Sequence, residues 1–168
     1  MRKSCYYILL YVLIVASVML TNKSSAHAHF LGFDSVDGSA LHYQRYTPWF
    51  SDAVDWAASQ WRDLGGNIGI VEGYYAPGIT LQIKTAYDPN APWDGAYYNW
   101  SHEIFFNTYY TNTYNQDEKR ALATHEFGHA LGLAHSYYGQ IMYGCSTCSG
   151  VTTPQNHDRQ DFYTLWSN

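Results

Sequence analysis

His125-Glu126-Phe127-Gly128-His129-Ala130-Leu131-Gly132-Leu133-Ala134-His135 is the most informative stretch of this chain. Its fixed positions read H-E-x-x-H-x-x-G-x-x-H. On a helix, residues four apart lie one turn above each other, so His125 and His129 project to the same side. Two neutral imidazoles at that spacing can share one zinc ion. Gly132 has no Cβ and can take the left-handed conformation that ends a helix, which lets His135 swing back as a third ligand. Three protein ligands leave one coordination position for water, the arrangement of a catalytic rather than a structural zinc. Glu126, beside the first ligand, then points to the open side of the metal as a candidate general base. With eight histidines in the chain, H-E-x-x-H alone can arise by chance on an amphipathic helix. The added glycine and third histidine make coincidence a poor explanation.

The surroundings fit a helix. Asn115, with Glu118 three residues on, forms a capping box at its start. Ala121, Leu122, Ala130 and Leu131 supply an apolar face, and the expected span is 116–131. After His135 the chain continues Ser136-Tyr137-Tyr138-Gly139-Gln140-Ile141-Met142-Tyr143. The extended histidine motif followed by a methionine turn resembles the metzincin zinc peptidases. Within that clan, His135-Ser136 and Ile141-Met142-Tyr143 are most similar to the matrixins, the matrix metalloproteinase type. The resemblance implies an α+β, zincin-like catalytic domain. Such a domain has a twisted mixed sheet, two long helices (one carrying the zinc motif), a methionine turn and a C-terminal helix. It further implies a zinc-dependent endopeptidase with His125, His129 and His135 as ligands and Glu126 as base. Met142 becomes the apolar floor under the metal, and Tyr143 a wall of the S1′ pocket. Gly144 stands where astacins place a zinc-binding tyrosine, so no tyrosine ligand is expected.

The N-terminus reads as a secretory signal peptide over residues 1–28. Arg2 and Lys3 precede an apolar run from Tyr6 to Leu20, and Ala26-His27-Ala28 offers a cleavage site. The run is shorter than the roughly 20 residues a membrane span needs, so a secreted domain over 29–168 is expected, without a membrane anchor. Removing Arg2, Lys3 and Lys23 leaves six of the nine basic residues against fourteen acidic ones, a net charge of −8. The remaining basic residues are scattered, which argues against nucleic acid as a partner. The expected partner is a protein or peptide substrate, and the expected state a monomer.

Of the three cysteines, Cys145 and Cys148 follow the methionine turn. In a secreted chain this pair reads as a disulfide more readily than as a redox or metal pair. Its expected effect is local stiffening, since so short a loop gains little stability by chain entropy.

Elsewhere, Thr47-Pro48 reads as a helix start, followed by Ala53, Val54, Ala57, Trp61 and Leu64 at helical spacing and a Gly65-Gly66 stop. Residues 68–71, 79–86, 96–100 and 103–107 read as strands, and Thr153-Pro154 as the opening of a last helix carrying Phe162, Leu165 and Trp166. Trp93-Asp94-Gly95 resembles a matrixin loop that holds structural zinc and calcium. Its partner histidines are missing apart from an isolated His102. Calcium at Asp88, Asn90 and Asp94 has the right oxygen chemistry, against an ordinary Asp/Asn/Pro/Gly turn as the plainer reading. The resemblance also places Asp158 where matrixins pair a carboxylate with the mature N-terminal ammonium. No propeptide cysteine precedes the domain; His29, Asp34 and Asp37 are the side chains of the N-terminal arm with metal-binding chemistry. Two rival readings remain: a narrow processing or toxin-type peptidase, and a non-catalytic secreted binder that keeps zinc as a structural centre.

Overall fold

A computed structural model describes residues 29–167; the proposed signal peptide lies outside the described residues. Five strands form one mixed sheet: β1 (Ala40–Arg45), β2 (Gly69–Glu72), β3 (Leu81–Ala86), β4 (Gly95–Tyr98) and β5 (Glu103–Asn107). Their order is β2-β1-β3-β5-β4. All neighbours are parallel except β4, which runs antiparallel to β5 in register Gly95 opposite Phe106 to Tyr98 opposite Glu103. The reversed strand β4 therefore forms one edge of the sheet.

Two long helices, α1 (Ser51–Arg62) and α3 (Gln116–Ala130), pack together, with a single turn α2 (Thr108–Thr111) between β5 and α3. The last helix is α4 (Asn156–Trp166). Ala53, Val54, Ala57, Ala58 and Trp61 are buried on α1, the small residues allowing α3 to approach. Trp61 fills the interface and donates its indole N–H to the Thr124 carbonyl at 2.9 Å, so a large buried ring leaves no polar atom unpaired. Leu41, Leu81, Ile83, Ile104 and Phe106 close the core from the sheet.

Three details differ from the sequence reading. Strand β1 is the second strand of the sheet, although only Leu41 and Tyr43 alternate inward, too short a pattern to stand out. Helix α1 starts at Ser51, not at Thr47-Pro48. Thr47 Oγ1 accepts the Trp49 N–H at 3.2 Å and closes a turn, while Phe50 is buried and stacks on Phe106 with centroids 4.1 Å apart. Helix α4 starts at Asn156 rather than at Thr153-Pro154, because Gln155 and Asp158 form the capping box.

Helix α3 has the Asn115–Glu118 capping box, and its interior is buried almost throughout. Gly128 lies within it, where a Cβ would come 2.2 Å from the Met142 sulfur and 3.0 Å from the Trp61 ring. Glycine costs helix stability, and here it gives the methionine turn room to press against the helix backbone. Gly128→Ala is expected to destabilise the protein by about 1–3 kcal/mol, the usual range for overpacking a filled core. Urea unfolding checks this; an unchanged midpoint would show that Met142 moves aside at no cost.

Candidate active site

The zinc helix delivers His125 and His129 to one end of the domain, and the chain must reverse to bring His135 back. Gly132 makes that reversal with φ +93°, its N–H bonding the His129 carbonyl and the Leu133 N–H bonding that of Gly128. The N-terminal arm braces the turn: Leu31 N–H meets the Gly132 carbonyl and Ala134 N–H meets the His29 carbonyl.

The three imidazoles converge through their Nε2 atoms. His135 Nε2 lies 3.3 Å from that of His125 and 3.1 Å from that of His129. On the far side of the rings, His125 Nδ1 is 2.8 Å from the Ile141 carbonyl and His129 Nδ1 is 2.8 Å from the Leu133 carbonyl. A carbonyl only accepts, so each Nδ1 carries the proton and each Nε2 presents a bare lone pair. Burial lowers both groups, His125 to about 4 and His129 to about 3, and it lowers His135 as well. Neutral, proton-free nitrogens aimed at one point are the donor set a zinc ion takes, so these residues fit it. Gly144 lies beside the third ring, where a Cβ would stand 3.3 Å from His135 Nδ1.

Glu126 is 4% exposed, and its Oε2 has no protein partner. Burial pushes its carboxyl up to about 8, with the Asp94 charge adding to the rise and the Tyr97 backbone N–H opposing it. Gly95 on β4 makes the space: a Cβ there would come 2.8 Å from Glu126 Oε1. Glu126, His125, His129 and His135 open together onto a cleft of about 480 Å³, walled on one side by residues 92–97 and on the other by Gly144, Cys145 and Ser146.

Met142 is buried against the zinc helix, and Cys145 and Cys148 are joined by a disulfide with Cα atoms 5.3 Å apart. Tyr143 does not line the cleft; its ring packs edge-on to Tyr138 at 5.4 Å, and its neighbours 144–146 supply the wall. Asp158 has a different task from the one the resemblance suggested. Its buried carboxylate accepts the N–H groups of Ile141 (2.8 Å), Met142 (3.1 Å) and Gln155 (2.7 Å), so it braces the methionine turn. It is Asp161 that meets the arm, 3.3 Å from the His29 nitrogen.

Other candidates lie elsewhere. His102 has φ +53° and bonds Ser35 Oγ at 2.9 Å, away from any metal group among the described residues. Asp88 Oδ1 accepts the Asn90 N–H, while Asp94 accepts from Gly95 N–H and the Tyr114 hydroxyl. Asp34 and Asp37 accept backbone N–H groups of Val36 and Ile79, so neither joins the triad. One positioning residue had no signal in the sequence. Buried Asn107 accepts the Asp88 and Tyr109 N–H groups and donates to the carbonyls of Asp88 and Trp93, fixing the loop that leads to Gly95. An asparagine closing a short strand reads as a strand residue until the loop folds over it.

A mixed sheet over a histidine-bearing helix, a glycine reversal and a methionine turn define a zincin-like metallopeptidase of the metzincin type. A matrixin family profile matches residues 21–166, and the chain belongs to that family. It is accordingly a zinc metallopeptidase, with protein or peptide as substrate. Among solved structures it is similar to myroilysin, with a TM-score of 0.57 and 14% identity over 83% of this chain and 98% of that one; this likeness concerns the fold. No curated protein matches the sequence. No helix among the described residues is long and apolar enough to cross a membrane.

The buried groups set the pH dependence of the metal-free chain. His125 and His129 bind fewer protons folded than unfolded between about pH 4 and 6.5, so their contribution is lost as pH falls through that window. Glu126 binds more protons folded than unfolded between about pH 4.5 and 8, so stability is lost as pH rises. Below pH 6.5 the two histidines, with His135 shifted the same way, outweigh one carboxyl; above it the carboxyl acts alone. Chelated protein is expected to be most stable near pH 6.5, falling by about 1.4 kcal/mol per pH unit, one proton's worth, on the alkaline side and more steeply on the acid side. Glu126→Gln should flatten the alkaline limb in denaturant titrations. A wild-type profile without that limb would mean that Glu126 is ionised in the apo fold.

Proposed function

We propose that the chain is a secreted, monomeric endopeptidase that cuts extended segments of protein or peptide, with Glu126 moving the protons. The observation that carries this reading is the carboxyl of Glu126, buried and without a protein partner at Oε2, opening onto the same cleft as three converging imidazoles, two of them with proton-free Nε2 atoms. A structural zinc centre has no use for such a group, which weighs against a non-catalytic binder.

His125, His129 and His135 would hold the zinc. When bound, zinc lowers the pKa of water to about 7 and polarises a carbonyl oxygen. With the metal bound, Glu126 would feel a positive charge that opposes the effect of burial and would favour its carboxylate form. Glu126 accepts the proton released by the attacking water and passes a proton to the departing amine. The peptide lies along β4, the edge strand, whose residues 95–97 line the cleft, and pairs with it as an added strand. Met142 forms the apolar floor beneath the ligands. The Cys145–Cys148 disulfide stiffens the opposite wall.

Cleavage of a peptide library, read by mass spectrometry, tests this with wild type, Glu126→Gln and chelated protein side by side. Cuts are expected only from zinc-loaded wild type, with Glu126→Gln keeping its zinc and losing about 10²–10⁴-fold in kcat, the usual share of a general base. Near-normal turnover in that variant would remove Glu126 from the mechanism. Zinc bound without any cuts would favour the binder, or a peptidase restricted to one folded target.

A further inference from the structure

We infer that the chain carries a second transition-metal site, built from His29, His157 and Asp161, that clamps the N-terminal arm onto α4. Three donor atoms converge there. His29 Nδ1 is 3.0 Å from His157 Nε2, His157 Nε2 is 3.4 Å from Asp161 Oδ2, and Asp161 Oδ2 is 3.7 Å from His29 Nδ1. Metal bonds of 2.0–2.2 Å in tetrahedral geometry separate neighbouring donors by roughly 3.4 Å. The three edges scatter around that length, and the 3.3 and 3.1 Å separations in the histidine triad lie just below it.

The two groups are also constructed alike. His157 and Asp161 are four apart on one helix, as His125 and His129 are, so they project to the same side. The third ligand comes from another segment, here the arm. Asp161 is 4% exposed, and its only ion-pair partners among the described residues are these two imidazoles. A buried carboxylate needs a positive partner, and no Lys or Arg supplies it. Tyr137 packs its ring against both imidazoles at 5.1 and 5.0 Å, and Gln140 accepts the His157 backbone N–H, fixing the second ligand's position. His29 keeps a partly exposed face, so solvent can complete the coordination shell. Cleavage after Ala28 would add a further donor: a free α-amine on His29 chelates together with its own Nδ1, and that nitrogen lies 3.3 Å from Asp161 Oδ2.

Two imidazoles and a carboxylate suit Zn²⁺, and the same donors take Ni²⁺ or Cu²⁺. The clamp would act on the catalytic centre through the backbone. The arm pairs with residues 132–134, which lead into His135. Occupancy at His29 therefore stiffens the turn that presents the third catalytic ligand.

The test is zinc stoichiometry and position. Protein purified from cells expressing the full chain is stripped with chelator, its N-terminus is read by mass spectrometry, and it is titrated with Zn²⁺ alone. Two equivalents are expected for wild type. His157→Gln and Asp161→Asn should each bind one and still cut peptide. Diffraction at the zinc edge locates the ions without relying on a variant: one peak is expected in the triad and one among His29, His157 and Asp161. A single peak in the triad with one equivalent in wild type would overturn the proposal and leave the three residues as a hydrogen-bonded tether. A peak only at His29, His157 and Asp161 would support it while counting against the catalytic reading.

Discussion

Two carbonyl oxygens decide whether this molecule can hold a metal. Those of Ile141 and Leu133 accept the Nδ1 protons of His125 and His129, and so turn the opposite nitrogens into bare donors aimed at one point. Fixing the tautomer in this way orients the ring and raises its basicity toward a cation. Neither carbonyl belongs to the zinc helix. Leu133 comes from the reversal after Gly132, held by the N-terminal arm, and Ile141 from the methionine turn, held by Asp158. Much of the structure outside the sheet can be understood as the means of keeping those two oxygens in place.

Burial runs through the site with opposite effects on its members. It keeps the histidines neutral and available as ligands, and it favours the uncharged form of Glu126 until a cation is present. The same low-dielectric environment therefore disposes the metal-free chain toward a proton on the carboxyl and the metal-loaded chain toward a carboxylate. In the proposed mechanism the base becomes available together with its metal because of where the groups are placed.

The sheet contributes geometry and little chemistry. Its antiparallel edge strand β4 runs past Glu126, and Gly95 lets backbone and carboxyl approach closely. Asn107, at the end of β5, makes three hydrogen bonds into the loop before β4 and sets where that strand begins. Small residues at Gly95, Gly128 and Gly144 each leave room for a functional side chain: Glu126, Met142 and His135.

The sequence by itself determined the candidate ligand set, the candidate base and the helix that carries them. Those depend on local periodicity, a capping box and one glycine, all within about twenty residues, and such short-range rules can be read from a string of letters. It also placed four of the five strands close to their true positions and suggested the family through the spacing of Met142 from His135. Tertiary structure decided everything that rests on contacts between distant segments. Strand β1 joined the sheet because its neighbours on both sides accept it, not because Leu41 and Tyr43 announce a strand. Asp158 was assigned to the methionine turn and Asp161 to the arm only when α4 packed against both, and no spacing separates two carboxylates three residues apart. The meeting of His29 with His157, 128 positions later, is of the same kind. Its cause is the antiparallel pairing of the arm with the turn after Gly132, an interaction between backbones that leaves no mark on side-chain pattern.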